Sequence, residues 1–336
     1  MEKIPVAVVG LGRIASLLED DPLREKPCTH AGAVAADADC VLAGGADADE
    51  NRLYLFAKRW QCPVYADAET MLKERAPRIL IIATHPDSHA EYCALAAENG
   101  VQAVICEKPL ADSLESAKRI AALPITVLTN HERRYSANYI RAKAVLSGRG
   151  LGKLLSVKAT LYMGANRRLL DVLWHDGTHL ADALMFLSGS RLRHRQKWGS
   201  RLTSREGTAY LMGCLEPDET AFDSNEKKAE KKEKIFCIEL GGKRDHLVFE
   251  MEFSCEQGRL RIGNGVFEIW ESGASPYAEG FRSLQKTPEV FEGPTGYFAN
   301  MLQDAVACVR DPARKPCSGA DDGLRVIEYL NSVHPW

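Results

Sequence analysis

Short apolar runs alternate with helical patterns through the first 130 residues, and no other feature constrains the fold as much. Runs that are apolar at every position suit strands buried on both faces, and helices between them indicate a parallel sheet. The predicted strands are residues 5–10, 40–47, 62–67, 78–84, 101–106 and 125–130, and the clearest predicted helices are residues 47–60 and 88–100. We therefore predict an α/β domain whose parallel sheet is covered on both faces.

The pattern changes after residue 130. A predicted helix at residues 136–150 leads into a strand and a second helix at residues 178–189, and residues 191–291 are typical of consecutive hairpins. Such hairpins indicate an open, mostly antiparallel sheet. A chain of 336 residues is long for one core. We predict two α/β domains, residues 1–128 and 129–336, and leave open whether the C-terminal helices pack back on the first domain.

Composition and charge argue against a nucleic-acid or membrane partner. The formal net charge of −3 gives no reason to expect a polyanionic partner, and no nucleic-acid motif is present. Ten cysteines are scattered without a C-x-x-C pair, which is typical of a reducing compartment. The apolar runs are too short to cross a bilayer, and the N-terminus lacks the long apolar segment of a signal peptide. We expect a cytoplasmic protein with no nucleic-acid or membrane partner.

A glycine turn follows the first predicted strand. Gly10, Gly12 and Ala15 have the G-x-G-x-x-[G/A] spacing. The first glycine permits a tight turn, the second lets the backbone approach a pyrophosphate, and the alanine lets a helix pack closely on the strand. A helix that begins near Arg13 and Ile14 would add free N–H groups and a partial positive charge. The spacing predicts a Rossmann dinucleotide site formed by Gly10, Gly12, Arg13 and Ile14.

An acidic residue at the end of the second strand would bind the ribose hydroxyls of the cofactor. Asp47 fits this position, and because its charge would repel a 2′-phosphate we predict NAD rather than NADP. Asp47 lies 35 residues after Gly12 rather than the usual ~20. A polar insert at residues 18–30, in or after the first helix, accounts for the excess. If Asp47 is an ordinary helix cap, Asp49 is its competitor for the ribose.

Two further motifs follow the glycine turn in order. Residues 83–100 read ATHPDSHAEYCALAAENG, and residues 106–110 read CEKPL. Together with the dinucleotide fold they resemble the glucose–fructose oxidoreductase / inositol dehydrogenase (Gfo/Idh/MocA) family, in which an A-T-P-x-x-x-H-a element precedes an E-K-P strand end. The matching residues are Ala83, Thr84, Pro86, His89, Ala90, Glu107, Lys108 and Pro109, with His85 as one extra residue. Similar segments at residues 131–143, 150–159, 177–182 and 318–328 extend the resemblance over nearly the full chain.

The resemblance implies a Rossmann domain joined to an α/β domain whose open sheet often forms the oligomer interface, so we expect a homodimer or homotetramer. It also implies a cis peptide bond between Lys108 and Pro109. The residues that it places at the cofactor are Thr84, His85, Pro86, His89, Glu107 and Lys108.

Dehydrogenase chemistry at a secondary alcohol is implied as well. The nicotinamide exchanges a hydride with the carbinol carbon. Lys108 contacts the reacting hydroxyl, and the imidazole of His179 serves as the base. Asp182 lies one helical turn later and could orient His179 or bind substrate. The expected substrate is a polyhydroxylated small molecule such as a sugar, amino sugar or cyclitol.

One position departs from the family pattern. The family usually reads D-x-G-x-H, but His175 stands four residues before His179, and Asp176 follows it. Either His175 replaces the usual aspartate as a substrate-binding group or Asp176 does so, and both are candidate catalytic residues. Asn166 and Arg134 are further substrate-binding candidates.

Three other interpretations compete with this one. His175, His179 and Asp182 would line one face of a helix and could hold a metal ion, but Gly177 suits a helix start and the family normally needs no metal, so we predict none. An NAD-assisted glycosidase would oxidise a sugar ring transiently and eliminate an aglycone. A non-catalytic NAD-binding sensor would keep the Rossmann fold without a working base, and the departure at His175 leaves this alternative open.

Overall fold

The computed structural model describes residues 2–148, 150–164, 167–217, 233–289 and 293–334. Its contacts divide the chain into two compact units, Met1–Ser136 with Pro294–Ile327 and Ala137–Gly293 with Glu328–Trp336. The first unit therefore includes residues 129–136 and 294–327, which the division made from the sequence assigns to the second domain.

A six-stranded parallel sheet forms the centre of the first unit. Its order is β3-β2-β1-β4-β5-β6, and all neighbouring pairs are parallel. The strands coincide with the six predicted apolar runs: β1 Ile4–Val9, β2 Cys40–Ala46, β3 Val64–Tyr65, β4 Ile79–Ile82, β5 Ala103–Cys106 and β6 Thr126–Thr129. Ligands of such sheets bind beside the carboxyl ends of the strands, where the strand order reverses between β1 and β4. The predicted Rossmann fold is confirmed.

Helices cover this sheet. Apolar side chains of β1 and β4, such as Val8 and Ile81, share one buried cluster with Met301 and Leu302 from a C-terminal helix. Burying each such side chain stabilises the fold by about 1.5–3 kcal/mol, and this packing fixes where the strands end. The helices of this unit are α1 His30–Ala36, α2 Glu50–Trp60, α3 Ala68–Arg75, α4 His89–Glu98, α5 Leu114–Ala121 and α9 Tyr297–Arg310.

The first helix is interrupted directly after the glycine turn. The chain forms one helical turn, leaves, and returns at α1, where the His30 N–H donates to the carbonyl of Ile14 (3.2 Å) and the Ala31 N–H donates to the carbonyl of Ala15 (2.9 Å). In an uninterrupted α-helix these carbonyls would accept from residues 18 and 19. His30 and Ala31 therefore take those two places, and residues 18–29 form an excursion of 12 residues from within one helix.

The excursion explains the unusual spacing in the sequence. With its 12 residues set aside, Asp47 follows Gly12 by 23 residues, close to the ~20 of a dinucleotide site. The insert predicted at residues 18–30 thus lies inside the first helix rather than after it. The helix predicted at Arg13 and Ile14 is limited to one turn, and a short 3₁₀ helix, Leu17–Asp20, follows it at the start of the excursion.

Side chains fasten the excursion to its surroundings. The Glu25 carboxylate accepts hydrogen bonds from the N–H groups of Thr295 (2.8 Å) and Gly296 (3.1 Å), which directly precede α9. Asp20 forms an ion pair with Arg59 of α2. At the return point the Thr29 side chain accepts a hydrogen bond from the Gly32 N–H and so caps α1. A capping oxygen of this kind stabilises a helix by about 1 kcal/mol.

The second unit is built on an eight-stranded sheet in the order β14-β13-β12-β11-β7-β10-β9-β8. Among the described strands of this sheet, β7 and β10 alone pair in parallel, so the predicted open, mostly antiparallel sheet is confirmed. The strands are β7 Leu154–Tyr162, β8 Ser190–Gly199, β9 Gly207–Pro217, β10 Lys234–Gly242, β11 Val248–Cys255, β12 Gly258–Gly263, β13 Val266–Ala274 and β14 Arg282–Lys286.

Three helices accompany this sheet, and a fourth spans the boundary between the units. The three are α6 Ala137–Ser147, α7 Leu169–His175 and α8 Gly177–Ser188, and the fourth is α10 Ala320–Val333. α7 is absent from the sequence-based prediction because it is short and because Arg168, an unusual N-cap residue, precedes it. Within the described part of the chain, no helix combines the length and apolarity needed to cross a membrane.

Removing residues 18–29 tests whether α1 continues the helix of the glycine turn. We expect this deletion to unfold cooperatively in urea with a free energy of unfolding within about 3 kcal/mol of that of the full chain. The loss would come from the Glu25 hydrogen bonds and the Asp20–Arg59 ion pair. A control deletion of residues 20–29 turns α1 by about 200°, since each residue turns a helix by ~100°. It should be less stable than the 12-residue deletion, and equal stability of the two would contradict the in-phase return.

Candidate cofactor and catalytic site

In the glycine turn at the end of β1, the first glycine has no room for a side chain, whereas the second borders open space. Gly10 has φ +83°, and a Cβ there would lie 2.7 Å from the carbonyl oxygen of Ala83 and 2.8 Å from Cγ2 of Thr84. A Cβ at Gly12 would instead have Nη1 of Arg52 as its nearest neighbour, 4.0 Å away. The backbone at Gly12 is therefore open to close approach by a ligand. The open space fits the pyrophosphate of a dinucleotide.

The two residues after Gly12 differ in what they can offer. Arg13 is exposed, so its side chain is available to a phosphate. Ile14 is half-buried and packs against the hydrophobic core, while its carbonyl accepts the hydrogen bond from His30. A contact between Ile14 and a cofactor would therefore be made by its backbone N–H.

Asp47 lies against the glycine turn. Its Oδ2 accepts a hydrogen bond from the Leu11 N–H (2.7 Å), its Oδ1 accepts one from the Asp49 N–H (2.9 Å), and Arg52 Nη1 lies 3.4 Å from Oδ2. Asp49 instead caps α2, because its carboxylate accepts from the N–H groups of Asn51 and Arg52. Asp49 is thus the cap of α2, whereas Asp47 contacts the glycine turn.

The loop after β4 contains Thr84, His85 and Pro86, of which His85 is exposed and the other two are half-buried. His89 is completely buried at the start of α4. Its Nδ1 lies 3.2 Å from the carbonyl oxygen of Leu110, and its Nε2 lies 3.3 Å from that of Thr84. Burial lowers the pKa of His89, although both carbonyls favour its charged form. His89 therefore joins the loops after β4 and β5, and its ring faces backbone carbonyls rather than solvent.

The loop after β5 delivers Lys108. The Lys108–Pro109 peptide bond is cis, as the resemblance implies. Glu107 is buried, and its Oε2 accepts a hydrogen bond from the Lys108 N–H (3.2 Å). On its other oxygen, Oε1, it meets His30 Nε2 at 2.8 Å and accepts from the Asn130 side-chain amide.

Burial opposes ionisation of Glu107, but its partners outweigh that effect. The hydrogen bond and the charge of His30, the charge of Lys108 and the Asn130 amide together hold the pKa of Glu107 below its ordinary value. Glu107 is therefore an ionised carboxylate at neutral pH, although it is one of the few acidic side chains enclosed in the first unit. His30 and Asn130 are site residues that the sequence analysis missed, because 77 residues separate His30 from Glu107.

The predicted residues of the second unit lie where α7 ends and α8 begins. His175 is the last residue of α7 and its side chain is 61% exposed, whereas Asp176 is 14% exposed and accepts a hydrogen bond from Arg167 Nη1 (3.2 Å). His175 Nδ1 lies 3.3 Å from Asp176 Oδ1. His179 is half-buried in the first turn of α8. The structure thus groups His175, Asp176 and His179 around one helix junction.

The helix junction also bears on the metal interpretation. That interpretation needs one helix running from His175 to Asp182, but α8 begins at Gly177 and α7 has already ended at His175. Among the described residues, no three His, Cys, Asp or Glu side chains are arranged to hold a metal ion. Asp182 is buried within α8.

Arg134 and Asn166 are the two remaining residues predicted to bind substrate. Arg134 is buried in the first unit, where Nη1 donates to the carbonyl of Cys317 (2.9 Å) and Nη2 pairs with Asp322 (3.1 Å). Both contacts tie the segment after β6 to the start of α10, which supports a structural role better than the predicted substrate contact. Asn166 lies outside the described residues.

The family match of this chain lies within its first unit. Residues 4–133 match the oxidoreductase family with an NAD-binding Rossmann fold, GFO_IDH_MocA. The match covers 130 of the 336 residues, all of them in the first unit. The resemblance to Gfo/Idh/MocA oxidoreductases is thereby confirmed.

Relatives extend the similarity into the second unit. Inositol 2-dehydrogenase of Salmonella typhimurium (strain LT2) is 27% identical over 164 residues, which are 47% of this chain and 46% of that protein. The aligned stretches therefore span less than half the length of the curated relatives that the chain matches.

Solved structures match nearly the whole chain. A dehydrogenase from Chromobacterium violaceum has a TM-score of 0.75 at 17% identity, covering 99% of this chain and 96% of that one. UDP-N-acetylglucosamine 3-dehydrogenase GnnA from Acidithiobacillus ferrooxidans has a TM-score of 0.74 at 16% identity, with coverages of 98% and 96%. At these identities the similarity shows the two-domain fold, not the substrate.

Substitutions at the two glycines should separate folding from cofactor binding. Gly12→Ala meets open space, so we expect an unchanged urea midpoint and at least a tenfold weaker affinity for NAD, because the methyl group fills the space for the pyrophosphate. Gly10→Ala is the matched control. It forces a left-handed conformation and a backbone clash, so it should lower the free energy of unfolding by more than about 1 kcal/mol. Undiminished NAD binding by Gly12→Ala, measured by calorimetry, would contradict the assignment.

Proposed function

We propose that the protein is an NAD-dependent dehydrogenase or reductase that interconverts a secondary alcohol and a ketone on a polyhydroxylated small molecule. The observation that carries this proposal is the ionised Glu107 at the carboxyl end of β5, next to Lys108. A lysine at this edge of a Rossmann sheet lies where ligands of the fold bind. A catalytic role explains why a lysine follows directly on a buried strand end.

The proposed roles of the residues follow from their chemistry. The nicotinamide, when bound, supplies the acceptor or donor of the hydride. Lys108 holds the reacting hydroxyl and favours loss of its proton by its positive charge. His179 takes up that proton as a neutral imidazole. Asp182 orients His179 or contacts substrate, and His175 and Asp176 bind further hydroxyl groups.

Cofactor contacts are proposed for the segments that follow β1, β2 and β4. Gly10, Gly12, Arg13 and the backbone of Ile14 hold the pyrophosphate, and Asp47 binds the ribose. Thr84, His85 and Pro86 border the nicotinamide half. His89, because it is buried between two carbonyls, is proposed to position the two loops instead of touching the cofactor.

A sugar, amino sugar or cyclitol is the proposed substrate class. The names of two relatives, inositol 2-dehydrogenase and UDP-N-acetylglucosamine 3-dehydrogenase, support it because both describe oxidation of a ring hydroxyl. Paired donors and acceptors such as His175, Asp176 and Arg167 suit recognition of several hydroxyl groups.

The alternatives give different signals. A glycosidase of this family type would release an aglycone without net NADH. A sensor would bind NAD and give neither signal, and it would be indifferent to substitution of Lys108.

A homodimer or homotetramer is proposed through the open face of the second sheet. Tyr210, Met212 and Ile235 lie on the same face of β9 and β10, and all three are exposed apolar side chains. Exposed apolar patches commonly mark protein interfaces. The cytoplasmic location stays a prediction.

Activity can be tested with the full chain and a panel of sugars and cyclitols. We expect NADH formation, followed by absorbance of the reduced nicotinamide, with at least one of them. Lys108→Ala and His179→Ala should each reduce kcat/KM by at least about 100-fold. Lys73→Ala, an exposed lysine paired with Glu69, is the matched control and should retain activity. Equal activity of Lys108→Ala and the wild type would contradict the proposed chemistry.

Cofactor preference can be tested at Asp47. Asp47→Ser removes the charge that repels a 2′-phosphate and releases Arg52, which can then pair with that phosphate. We expect the ratio of NADP to NAD affinity to rise at least tenfold, and Arg52→Ala added to this variant should reverse most of the gain. Asp49→Ser, which removes only the cap of α2, should leave the ratio unchanged. A shifted ratio in Asp49→Ser alone would transfer the ribose role to Asp49.

A further inference from the structure

A buried histidine supports the carboxylate that precedes Lys108. The side chains of His30 and Glu107 are 2% and 8% exposed, and Nε2 of the ring lies 2.8 Å from Oε1 of the carboxylate. The His30 ring also packs edge-on against Phe298 of α9, with ring centroids 5.0 Å apart. His30 is thus held on one side by an aromatic ring and on the other by a carboxylate.

The register of the interrupted helix is what brings His30 to this place. Its N–H completes the helical hydrogen bond to Ile14, so the ring projects from the position that residue 18 would otherwise have. An excursion two residues longer or shorter would turn the ring about 200° away from Glu107. The connection between His30 and Glu107 therefore depends on the in-phase return of the chain.

Burial by itself raises the pKa of Glu107 and so disfavours its charged form. A buried charge persists only where partners compensate for its lost hydration. His30 is the strongest of these partners, followed by Lys108 and Asn130. Without His30, the remaining partners would have to offset full burial and the repulsion between Glu107 and Glu132, which together with burial raises the pKa of Glu132.

We propose that His30 is a positioning residue for Lys108, acting through Glu107: the imidazole keeps the carboxylate charged and oriented, and the carboxylate fixes the start of the loop that presents the ammonium. This role rests on the proposed function of Lys108. The second buried histidine, His89, holds the same loop from its other end through the Leu110 carbonyl. The lysine loop is thus fastened on both sides by imidazole rings from α1 and α4.

The charged and titratable groups that act on Glu107 come from four parts of the unit. They are His30 of α1, His89 of α4, Cys106 and Lys108 flanking Glu107 at the end of β5, and Glu132 after β6. Burial keeps Cys106 as an uncharged thiol by raising its pKa, and it lowers the pKa of His89. Burial also raises the pKa of Glu132. A proton gained on removal of His30 therefore has two candidate carboxyl groups, and substitution of Glu107 distinguishes them.

The charge state of Glu107 can be measured in the free protein by infrared spectroscopy. We expect His30→Leu at pH 7 to show the C=O band of a protonated carboxyl group that the wild type lacks. His30→Gln should resemble the wild type, because the glutamine amide can donate from the place of Nε2. The band should vanish in His30→Leu/Glu107→Gln, which assigns it to Glu107.

Thr29→Ala is the matched control for damage to α1. It removes the N-cap of the same helix and costs about 1 kcal/mol of stability, but it leaves the His30–Glu107 contact in place. It should show no carboxyl band. If Thr29→Ala and His30→Leu behave alike, His30 only stabilises the helix and the proposal is overturned. Should His30→Leu fail to fold, His30→Asn, which shortens the side chain and withdraws its donor, takes its place.

Kinetics supply the second measurement. His30→Leu should lower kcat at least tenfold and leave the Kd for NAD within twofold, because the defect is confined to the lysine loop. It should also move the acid limb of the pH profile upward, since Glu107 then gains its proton at higher pH, and His30→Gln should restore both values. A charged Glu107 in His30→Leu overturns the proposal. The infrared result needs no substrate, so it stands even if the dehydrogenase assignment fails.

Discussion

A carboxylate enclosed at the end of a strand needs compensation for its lost hydration, and the first unit is arranged around that requirement. Glu107 obtains it from a helix, from the next strand and from the residue that follows it: His30, Asn130 and the Lys108 N–H. Because each of these partners comes from a different element, the carboxylate fixes their relative positions. The loop that carries Lys108 begins at this fixed point, and the proposed contact of Lys108 with substrate requires such exact placement.

The interrupted helix shows how a chain can gain length without disturbing this arrangement. Residues 18–29 leave after one turn and return in phase, so the hydrogen-bond pattern of the helix continues across the gap. The glycine turn on one side and His30 on the other therefore keep the geometry of an uninterrupted element. The anchoring of Glu25 at the start of α9 holds the extra residues in place. The sequence distance to Asp47 changes, but its place against the Leu11 N–H does not.

Local pattern is sufficient to predict the sheet and the glycine turn. The strands are apolar at every position because they are buried on both faces, and Gly10 is required because a side chain would collide with Ala83. Asp47 and Asp49 cannot be told apart by spacing, since both follow β2. Their contacts differ, because Asp49 caps α2 whereas Asp47 accepts a hydrogen bond from the Leu11 N–H of the turn.

Other parts of the site depend on contacts between residues distant in sequence. No local signal connects His30 to Glu107, and the buried role of Arg134 depends on Asp322, nearly 190 residues away. The helix α7 is short and lacks a common cap, so the local pattern allows one continuous helix through His175 and His179 where the structure has two. The motifs of the resemblance select the loops after β4 and β5, but only the hydrogen bonds distinguish His89, which faces backbone carbonyls, from its exposed neighbour His85.

Backbone hydrogen bonds join the two ends of the excursion, and this has a practical consequence for protein engineering. Since the helix is bridged by backbone hydrogen bonds beneath it, the loop acts as a side branch, and extra chain attached at its tip should not transmit a rotation to the elements downstream. Leu23, at 94% exposure, marks that tip. A fluorescent domain or an affinity tag inserted at this tip would lie next to the Rossmann sheet and would leave the register of the interrupted helix unchanged.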